Sequence, residues 1–251
     1  MIIKRIDSKQ REIAELEKLL KVKITPYQRF LIERELKAMR SGVYGERDSA
    51  YYIDFYFGNS RNWAVIHDLR LEHKEQVAQI DHLLINRSFD IYVLESKNYS
   101  YKLKISPEGE FHAYYGKEYI GIPSPIEQNK RHIHLLDLFL KSHNILPKRM
   151  GISIRPRFKN LILVSPKVII TRPPEKKFDT SCVIKADTLR TKIDREVDKW
   201  NPLSDFATIS KLCSSSTLNK TARRLATFHK PLRLDYRAKF GLTEQKDKVK
   251  G

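Results

Sequence analysis

The chain has 251 residues, of which 41% are hydrophobic and 31% are charged, and it carries a formal net charge of +18. This composition predicts a globular protein with one large domain or one domain with extensions. It excludes membrane-spanning helices, because there is no run of about 18 apolar residues, and it excludes a disulfide scaffold or a zinc cluster, because Cys182 and Cys213 lack ligand spacing.

The N-terminal segment predicts a helical hairpin. It turns charged after three residues and lacks an apolar stretch before a small-residue cleavage site, so a secretory signal is not expected and the expected location is cytoplasmic. Helical spacing over residues 7–22 is given by Ile13, Leu16, Leu19 and Leu20. Thr25-Pro26 predicts the start of a second helix that ends near Gly42. This hairpin could simply pack on the rest of the chain or could mediate a homodimer.

The middle of the chain changes from helical to strand periodicity. A third helix is predicted from Gly45 to Gly58, and alternation begins after Trp63. Strands are predicted, in chain order, over 64–73, 77–86, 89–97, 101–115 with a turn at 107–110, 159–166 and 182–186. A proline-containing loop is predicted over 119–127 and helices over 128–144, 187–198 and 203–227, followed by a charged, disordered tail over 244–251.

Three charged residues interrupt two of the apolar strands. Glu95 and Lys97 are two residues apart and share one face of a strand, and a turn at Arg87-Ser88 places Asp81 near residue 94 or 95. Two adjacent carboxylates repel each other unless a cation lies between them, and oxygen ligands suit Mg²⁺ or Mn²⁺. A lysine beside such a metal can assist phosphodiester hydrolysis. The spacing alone also fits a cross-strand ion pair on an exposed hairpin.

A longer string of motifs resembles the nuclease-related domain (NERD) family. The string comprises GERDSAYYIDFYF, WAVIHDLRLEH, QIDHLLINRSFDIYVLESKN and PSPIEQNKRHIHLL, over about residues 42–165. The family is assigned to the PD-(D/E)xK nuclease superfamily. The resemblance implies that Asp81, Glu95, Lys97 and Gln128 are catalytic, and that Glu46 joins Asp81 and Glu95 as a metal ligand. Ser96 replaces the usual threonine, and the glycines often found in the hairpin turn and after the lysine are absent.

The order of elements and the resemblance together predict an α/β protein. Its restriction-endonuclease-like core would have a mixed central sheet flanked by helices, with an N-terminal helical hairpin and a helical C-terminal extension. The predicted segments are an extension over 1–41, the nuclease-related core over 42–170 and a basic, mostly helical extension over 171–251. The absence of glycine-rich phosphate loops argues against a nucleotide-driven motor.

The excess of basic residues favours a nucleic acid partner. Residues 128–160 hold eight Lys or Arg against one acid, and residues 214–251 hold ten against three. Phosphate contacts are predicted for Lys130, Arg131, Arg223 and Arg224. A solvated helix face explains Arg223 and Arg224 almost as well.

Aromatic and histidine side chains leave further alternatives open. Tyr114, Tyr115 and Tyr119 could stack on bases, but strand packing is the simpler explanation. His82 is interpreted as a packing or hydrogen-bonding residue. His132 and His134 are two apart on a helix, which is poor geometry for shared ligation.

Three functions compete at this point. The leading hypothesis is a metal-dependent nuclease that acts on DNA more readily than on RNA, with Mg²⁺ or Mn²⁺ as cofactor. The alternative is a non-catalytic nucleic-acid-binding module that acts with a partner protein. A protein of anionic membrane surfaces is the weakest hypothesis, because no long helix pairs a basic face with a large apolar one.

Overall fold

The computed structural model describes residues 1–99, 101–149, 151–198 and 212–242. The chain packs as two compact units. One unit combines Met1–Asp7 with Gly45–Lys230, and the other combines Ser8–Tyr44 with the chain from Pro231 on. The three predicted segments stay a prediction of domain organisation. The predicted tail over 244–251 lies outside the described residues.

The regular elements follow in chain order. The helices are α1 (Gln10–Leu19), α2 (Pro26–Phe57), α3 (Pro125–Ser142), α4 (Leu189–Asp198), α5 (Ser215–Ala226) and α6 (Tyr236–Lys239). The strands are β1 (Ile2–Lys4), β2 (Trp63–His73), β3 (Gln76–Asn86), β4 (Asp90–Lys97), β5 (Lys102–Ile105), β6 (Phe111–Tyr115), β7 (Glu118–Ile122), β8 (Lys148–Arg149), β9 (Ile152–Ser153), β10 (Arg157–Val164), β11 (Ile169–Thr171) and β12 (Val183–Lys185).

A six-stranded mixed sheet forms the centre of the first unit, in the order β1-β2-β3-β4-β10-β12. The strands β2, β3 and β4 are antiparallel, whereas β10 runs parallel to β4 and β12 runs parallel to β10. Apolar side chains of α3 and α5 cover one face, and those of the last turns of α2 and of α4 cover the other. Both faces are therefore buried, which explains the near-continuous apolar runs of β3 and β4. The predicted α/β core with helices on both sides of a mixed sheet is confirmed.

A smaller four-stranded sheet has the order β11-β5-β6-β7; β5, β6 and β7 lie in the connection between β4 and β10, and β11 follows β10. Its inner residues alternate with exposed ones along β5 and β6, and they pack in a cluster with the last residues of β10. The second unit has its own small core, which α1, the first half of α2 and α6 build from Leu16, Leu19, Ile32, Leu36, Tyr236 and Phe240.

Four details of the predicted elements were wrong. The helix predicted to end near Gly42 and the one predicted to start at Gly45 are a single helix, α2, because glycine weakens a helix interior without breaking it. Most of the predicted loop over 119–127 is strand β7 and the first turn of α3, since both prolines follow the strand. Residues 2–4, 148–149, 152–153 and 169–171 form unpredicted strands. The last predicted helix begins at Ser215, and residues 199–211 lie outside the described part of the chain.

The two glycines inside α2 have opposite surroundings. A Cβ atom added to Gly42 meets no atom within 4 Å, whereas one added to Gly45 lies 2.8 Å from the Cβ of Asn98, immediately after β4. We therefore expect Gly42→Ala to stabilise the protein by about 1 kcal/mol, because alanine is the better helix former. Gly45→Ala should destabilise it, since forced overpacking costs about 1–3 kcal/mol and exceeds that gain. Urea unfolding of both variants measures the difference, and equal stabilisation by both would contradict the close contact at Gly45.

Candidate active site

The turn between β3 and β4 sets the register of the two strands. Asn86 accepts hydrogen bonds on its side-chain Oδ1 from the backbone N–H groups of Ser88 and Asp90, both at 2.9 Å. Phe89 takes the left-handed conformation with φ of 58°, the kind of position that glycine usually fills, and its side chain is fully buried. The turn therefore forms without a glycine.

This register makes Asp81 and Glu95 neighbours on one face of the sheet. His82 pairs with Leu94, so the next pair along the antiparallel strands is Asp81 and Glu95. The Oδ2 atom of Asp81 also accepts a hydrogen bond of 2.7 Å from the backbone N–H of Ser96. Asp81 is thus held against β4 beside the carboxylate of Glu95.

The environment of Asp81 disfavours ionisation of its carboxyl group beside Glu95. Burial raises the pKa of this carboxyl well above its usual range, and the nearby carboxylates of Glu95 and Glu46 raise the pKa further. The Ser96 N–H and Lys97 act in the opposite direction without cancelling the effect. Glu46 lies on α2 directly after Gly45, whose close approach to Asn98 brings this part of the helix to the end of β4. The three predicted metal ligands therefore act on one another electrostatically.

Glu95, Lys97 and Gln128 form a closed hydrogen-bonded group. The Nζ atom of Lys97 donates to Oε1 of Glu95 at 2.7 Å and to Oε1 of Gln128 at 3.1 Å. The Nε2 atom of Gln128 donates to the same Oε1 of Glu95 at 2.8 Å. Glu95 is only 3% exposed, so its charge depends on these partners. The structure brings together the acid, the lysine and the glutamine that the sequence singled out.

The start of α3 positions Gln128. Ser124 caps the helix by accepting a hydrogen bond from the N–H of Glu127, and Pro125 occupies the first turn. The next residue, Asn129, is buried between strands. Its Nδ2 atom donates to the carbonyl of Val93 and to Oδ1 of Asn160, both at 2.8 Å. These bonds attach the helix to β4 and β10 and so place Gln128 over Glu95.

His132 lies at this site, although the sequence pattern predicted no role for it beyond a poor ligand pair with His134. Its Nδ1 atom lies 3.6 Å from Oε2 of Glu95, and among the described residues neither atom has a hydrogen-bond partner. Burial acts to raise the pKa of Glu95, but His132 and Lys97 outweigh it and lower that pKa. The missed signal is the spacing of four residues between Gln128 and His132, which puts both on one side of a helix.

The donor atoms of the site fit a hard divalent cation. Within the described ranges, no group of three or more His, Cys, Asp or Glu side chains is arranged closely enough to hold a metal by itself. However, Oε2 of Glu95 is buried without a hydrogen-bond partner among the described residues, and burial together with the neighbouring carboxylates raises the pKa of Asp81, as expected where no cation offsets its charge. Mg²⁺ commonly uses one or two carboxylates and completes its shell with water and phosphate oxygens. The two carboxylates, one of which has an oxygen without a hydrogen bond, therefore match what Mg²⁺ or Mn²⁺ requires.

The four predicted phosphate-binding residues lie in two separate groups. Lys130 and Arg131 are exposed in the first half of α3, and Lys130 contacts Glu127. Arg223 and Arg224 are exposed on α5, where Arg224 donates to the carbonyls of His143 and Asn144 just beyond the other end of α3. The eleven helical residues after Arg131 extend α3 by about 17 Å towards the end that Arg224 contacts. The role of the four residues in binding nucleic acid stays a prediction.

His82 lies on the face of β3 opposite Asp81 and takes part in a buried polar chain. His67 contacts Oδ1 of Asp54 through Nε2 at 2.9 Å and His82 through Nδ1 at 2.7 Å. His82 in turn contacts the hydroxyl of Ser96 at 3.0 Å. Burial lowers the pKa of both imidazoles, which favours their neutral forms. These contacts give His82 a structural task apart from the carboxylates.

Comparison with known proteins identifies one family. Residues 41–170 match the family model described as the nuclease-related domain (NERD), which includes every residue of the Asp81–Glu95–Lys97–Gln128 group together with Glu46. Searches among curated proteins and solved structures found no significant match. Among the described residues, none of the helices combines the length and apolar character needed to cross a membrane.

Proposed function

Because the chain belongs to the nuclease-related domain family, we propose that it is a metal-dependent nuclease that hydrolyses phosphodiester bonds of DNA. The observation that carries the proposal is the contact of Lys97 and Gln128 with Glu95, next to Asp81. A buried carboxylate that faces another carboxylate destabilises the fold, so a functional reason is expected for this arrangement. A lysine and a cation site side by side are what phosphodiester hydrolysis needs.

Each residue of the group has a role in the proposed reaction. Asp81 and Glu95, with Glu46, would hold Mg²⁺ or Mn²⁺, which when bound polarises the phosphodiester and lowers the pKa of water. The ammonium group of Lys97 stabilises the negative charge that builds on the phosphoryl oxygens while water attacks phosphorus and the bond to the leaving oxygen breaks. Gln128 keeps Lys97 and Glu95 in place and can orient water or phosphate.

The surface surrounding this group supports a polyanionic substrate. The net charge of +18 attracts nucleic acid, and Lys130 and Arg131 follow Gln128 on the exposed side of α3. Lys130, Arg131, Arg223 and Arg224 would contact phosphates without reading sequence. A cytoplasmic location and a homodimer through the N-terminal helices complete the proposal. The exposed rings of Tyr27 and Phe30 on α2 favour such a dimer, and light scattering after size-exclusion chromatography tests it.

We expect the purified protein to cleave plasmid or linear DNA in Mg²⁺ or Mn²⁺ and to stop in EDTA. Lys97→Met keeps the aliphatic stem but removes the charge, and it should lower the cleavage rate by about 10²–10³-fold, the loss seen when one charge-stabilising donor is removed. Lys141→Met is the matched control, because this exposed lysine on α3 contacts only Asp137 in a surface pair. Equal cleavage by wild type and Lys97→Met would remove Lys97 from the active site.

A binding module without hydrolytic activity is the second candidate. It is favoured by the hydrogen bonds from Lys97 and Gln128, which satisfy Oε1 of Glu95 with protein groups alone. Salt-sensitive binding of DNA without cleavage in any divalent metal would support this candidate over the nuclease. A titration of DNA binding against ionic strength, run beside the cleavage assay, separates the two.

A further inference from the structure

The outward face of the small sheet carries an unusual set of side chains. Along β5 and β6, the buried residues Leu103, Ile105, Phe111 and Ala113 alternate with outward-facing Lys102, Lys104, His112 and Tyr114. Tyr114 and His112 on β6 pair with Tyr119 and Gly121, respectively, on the neighbouring strand β7. Two tyrosines, two lysines, a histidine and a glycine therefore share one side of this sheet.

The aromatic rings on this face are open to solvent. The rings of Tyr114 and Tyr119 are 5.3 Å apart and inclined at 67°, and Tyr119 is 41% exposed. The Nζ atom of Lys102 lies 5.1 Å from the centroid of the Tyr114 ring. An edge-to-face pair leaves a ring surface uncovered, and the adjacent ammonium group can contact a phosphate while the ring contacts a base.

A pocket of about 300 Å³ continues this face beside Tyr119. It is lined by His112, Gly121, Ser124 and residues 109–111, 122 and 123. No atom lies within 4 Å of a Cβ added to Gly121, so the floor of the pocket is free. The buried Nδ1 atom of His112 has no hydrogen-bond partner among the described residues. The volume is at the lower end of the range for small-molecule sites and suits one planar group.

This face is connected to the active site by a short stretch of chain. Strand β7 ends at Ile122, α3 begins at Pro125, and Gln128 lies in its first turn. Four residues of extended chain and one helical turn reach at most about 20 Å from Gly121 to Gln128. Both ends belong to the same compact unit. A strand of nucleic acid bound on the sheet could therefore extend to Glu95 and Lys97.

We infer that the outward face of β5, β6 and β7 binds unpaired bases of single-stranded DNA. The inference rests on the proposed function, because it names the substrate of the same site. Tyr119 and Tyr114 stack on bases, the Gly121 floor admits one base, and Lys102 and Lys104 contact the phosphates. Duplex DNA keeps its bases stacked on one another and offers only their edges, so exposed rings contribute nothing to its binding. The carboxylate of Glu110 at the pocket rim repels phosphate and can accept a hydrogen bond from a base N–H group, such as N3–H of thymine.

Binding can be measured without cleavage. We propose fluorescence anisotropy with a labelled oligothymidylate in EDTA, compared with the matching oligouridylate and with a duplex of the same length. Tyr119→Ala should raise the Kd for oligothymidylate by about tenfold, which corresponds to the loss of one stacked base. Gly121→Val should do the same by filling the floor, and it should stay folded because the site has open space and valine suits a strand. Tyr119→Trp should restore or improve binding.

Controls separate this surface from general electrostatics. Phe55→Ala removes an exposed ring from α2 and should leave the Kd unchanged. Lys102→Ala and Lys104→Ala should each reduce the slope of log K against log salt by about 0.7, the value for one phosphate on a single strand. Duplex affinity should not respond to Tyr119→Ala or Gly121→Val.

Three results would overturn the inference: unchanged oligothymidylate affinity in both Tyr119→Ala and Gly121→Val, an equal loss for the duplex, or binding of oligouridylate alone. Because the assay contains EDTA, it stays informative even if the protein cleaves nothing. Conversely, loss of cleavage in Lys97→Met with normal oligothymidylate binding separates the two sites.

Discussion

Replacing Asp81 by asparagine should abolish cleavage and at the same time stabilise the metal-free protein. The variant keeps the shape of the side chain and an oxygen that accepts the hydrogen bond from the Ser96 N–H. It removes a carboxyl group that lies near Glu95 and Glu46. Burial and these two carboxylates raise the pKa of that group, so its ionised form is unfavourable. Cleavage should fall by more than about 100-fold, the upper range for loss of a residue that only supports a metal ligand.

The raised pKa of Asp81 determines whether Asp81→Asn raises or lowers the stability of the protein at a given pH. A carboxyl group whose pKa is raised on folding contributes stability that is fully present below its unfolded pKa of about 3.9 and is lost as the pH rises through the folded pKa. In EDTA, the contribution of Asp81 to the stability of the wild type should therefore fall as the pH rises across this range, and the difference in stability between the wild type and Asp81→Asn isolates it. Asp81→Asn lacks that component, so its melting temperature at neutral pH should be higher.

Added metal should reverse the order of stability. Mg²⁺ or Mn²⁺ bound between Asp81 and Glu95 stabilises only the folded state, so the melting temperature of the wild type should rise with metal concentration and that of Asp81→Asn should rise less. Asp194→Asn is the matched control, since this exposed carboxylate on α4 pairs with Arg190 at the surface. A variant that melts below the wild type in EDTA at neutral pH would contradict the proposed repulsion around Asp81.

The second large effect concerns stability and is expected at Asn129. Asn129→Ala removes the donor that reaches the carbonyl of buried Val93 on β4 and Oδ1 of half-buried Asn160 on β10, so each acceptor loses one donor. A net hydrogen bond contributes about 1 kcal/mol and an unsatisfied buried group costs about 1–3 kcal/mol. We expect a loss of about 2–4 kcal/mol in the free energy of unfolding.

Urea unfolding with Asn59→Ala as the control measures this loss. Asn59 is exposed after the end of α2, and substitutions at such positions usually change stability by less than about 0.5 kcal/mol. Cleavage by folded Asn129→Ala should also fall, because α3 carries Gln128 and His132 to Glu95. If Asn129→Ala were as stable as Asn59→Ala, the attachment of α3 to the sheet would not depend on this amide.

The parts of the site that could be predicted from the sequence are those set by local periodicity. Alternation along the chain placed Glu95 and Lys97 on one face. The short turn placed Asp81 opposite residue 94 or 95, which is correct to within one residue of the observed register. The helix that carries Gln128 followed from its apolar spacing, although its Ser-Pro start was assigned to the preceding loop. The resemblance to a known family named the same four residues and Glu46.

The parts that could not be predicted depend on contacts between distant segments. Nothing near His132 in the chain shows that it faces Glu95, because that contact requires the packing of α3 on β4. The role of Gly45 depends likewise on Asn98, more than fifty residues away, and β1 exists only because Ile2 pairs with Val65. Helix and strand propensities do not contain such pairings.

The parallel pairing of β4 with β10 has a consequence for how this fold can diversify. Between these two adjacent strands, a single connection over residues 98–156 contains β5, β6 and β7 of the small sheet as well as α3 with Gln128 and His132. Exchanging that connection for another would alter which molecules are admitted while the strands bearing Asp81, Glu95 and Lys97 keep their order. Divergence in specificity among proteins of this architecture should therefore concentrate in one modular insertion.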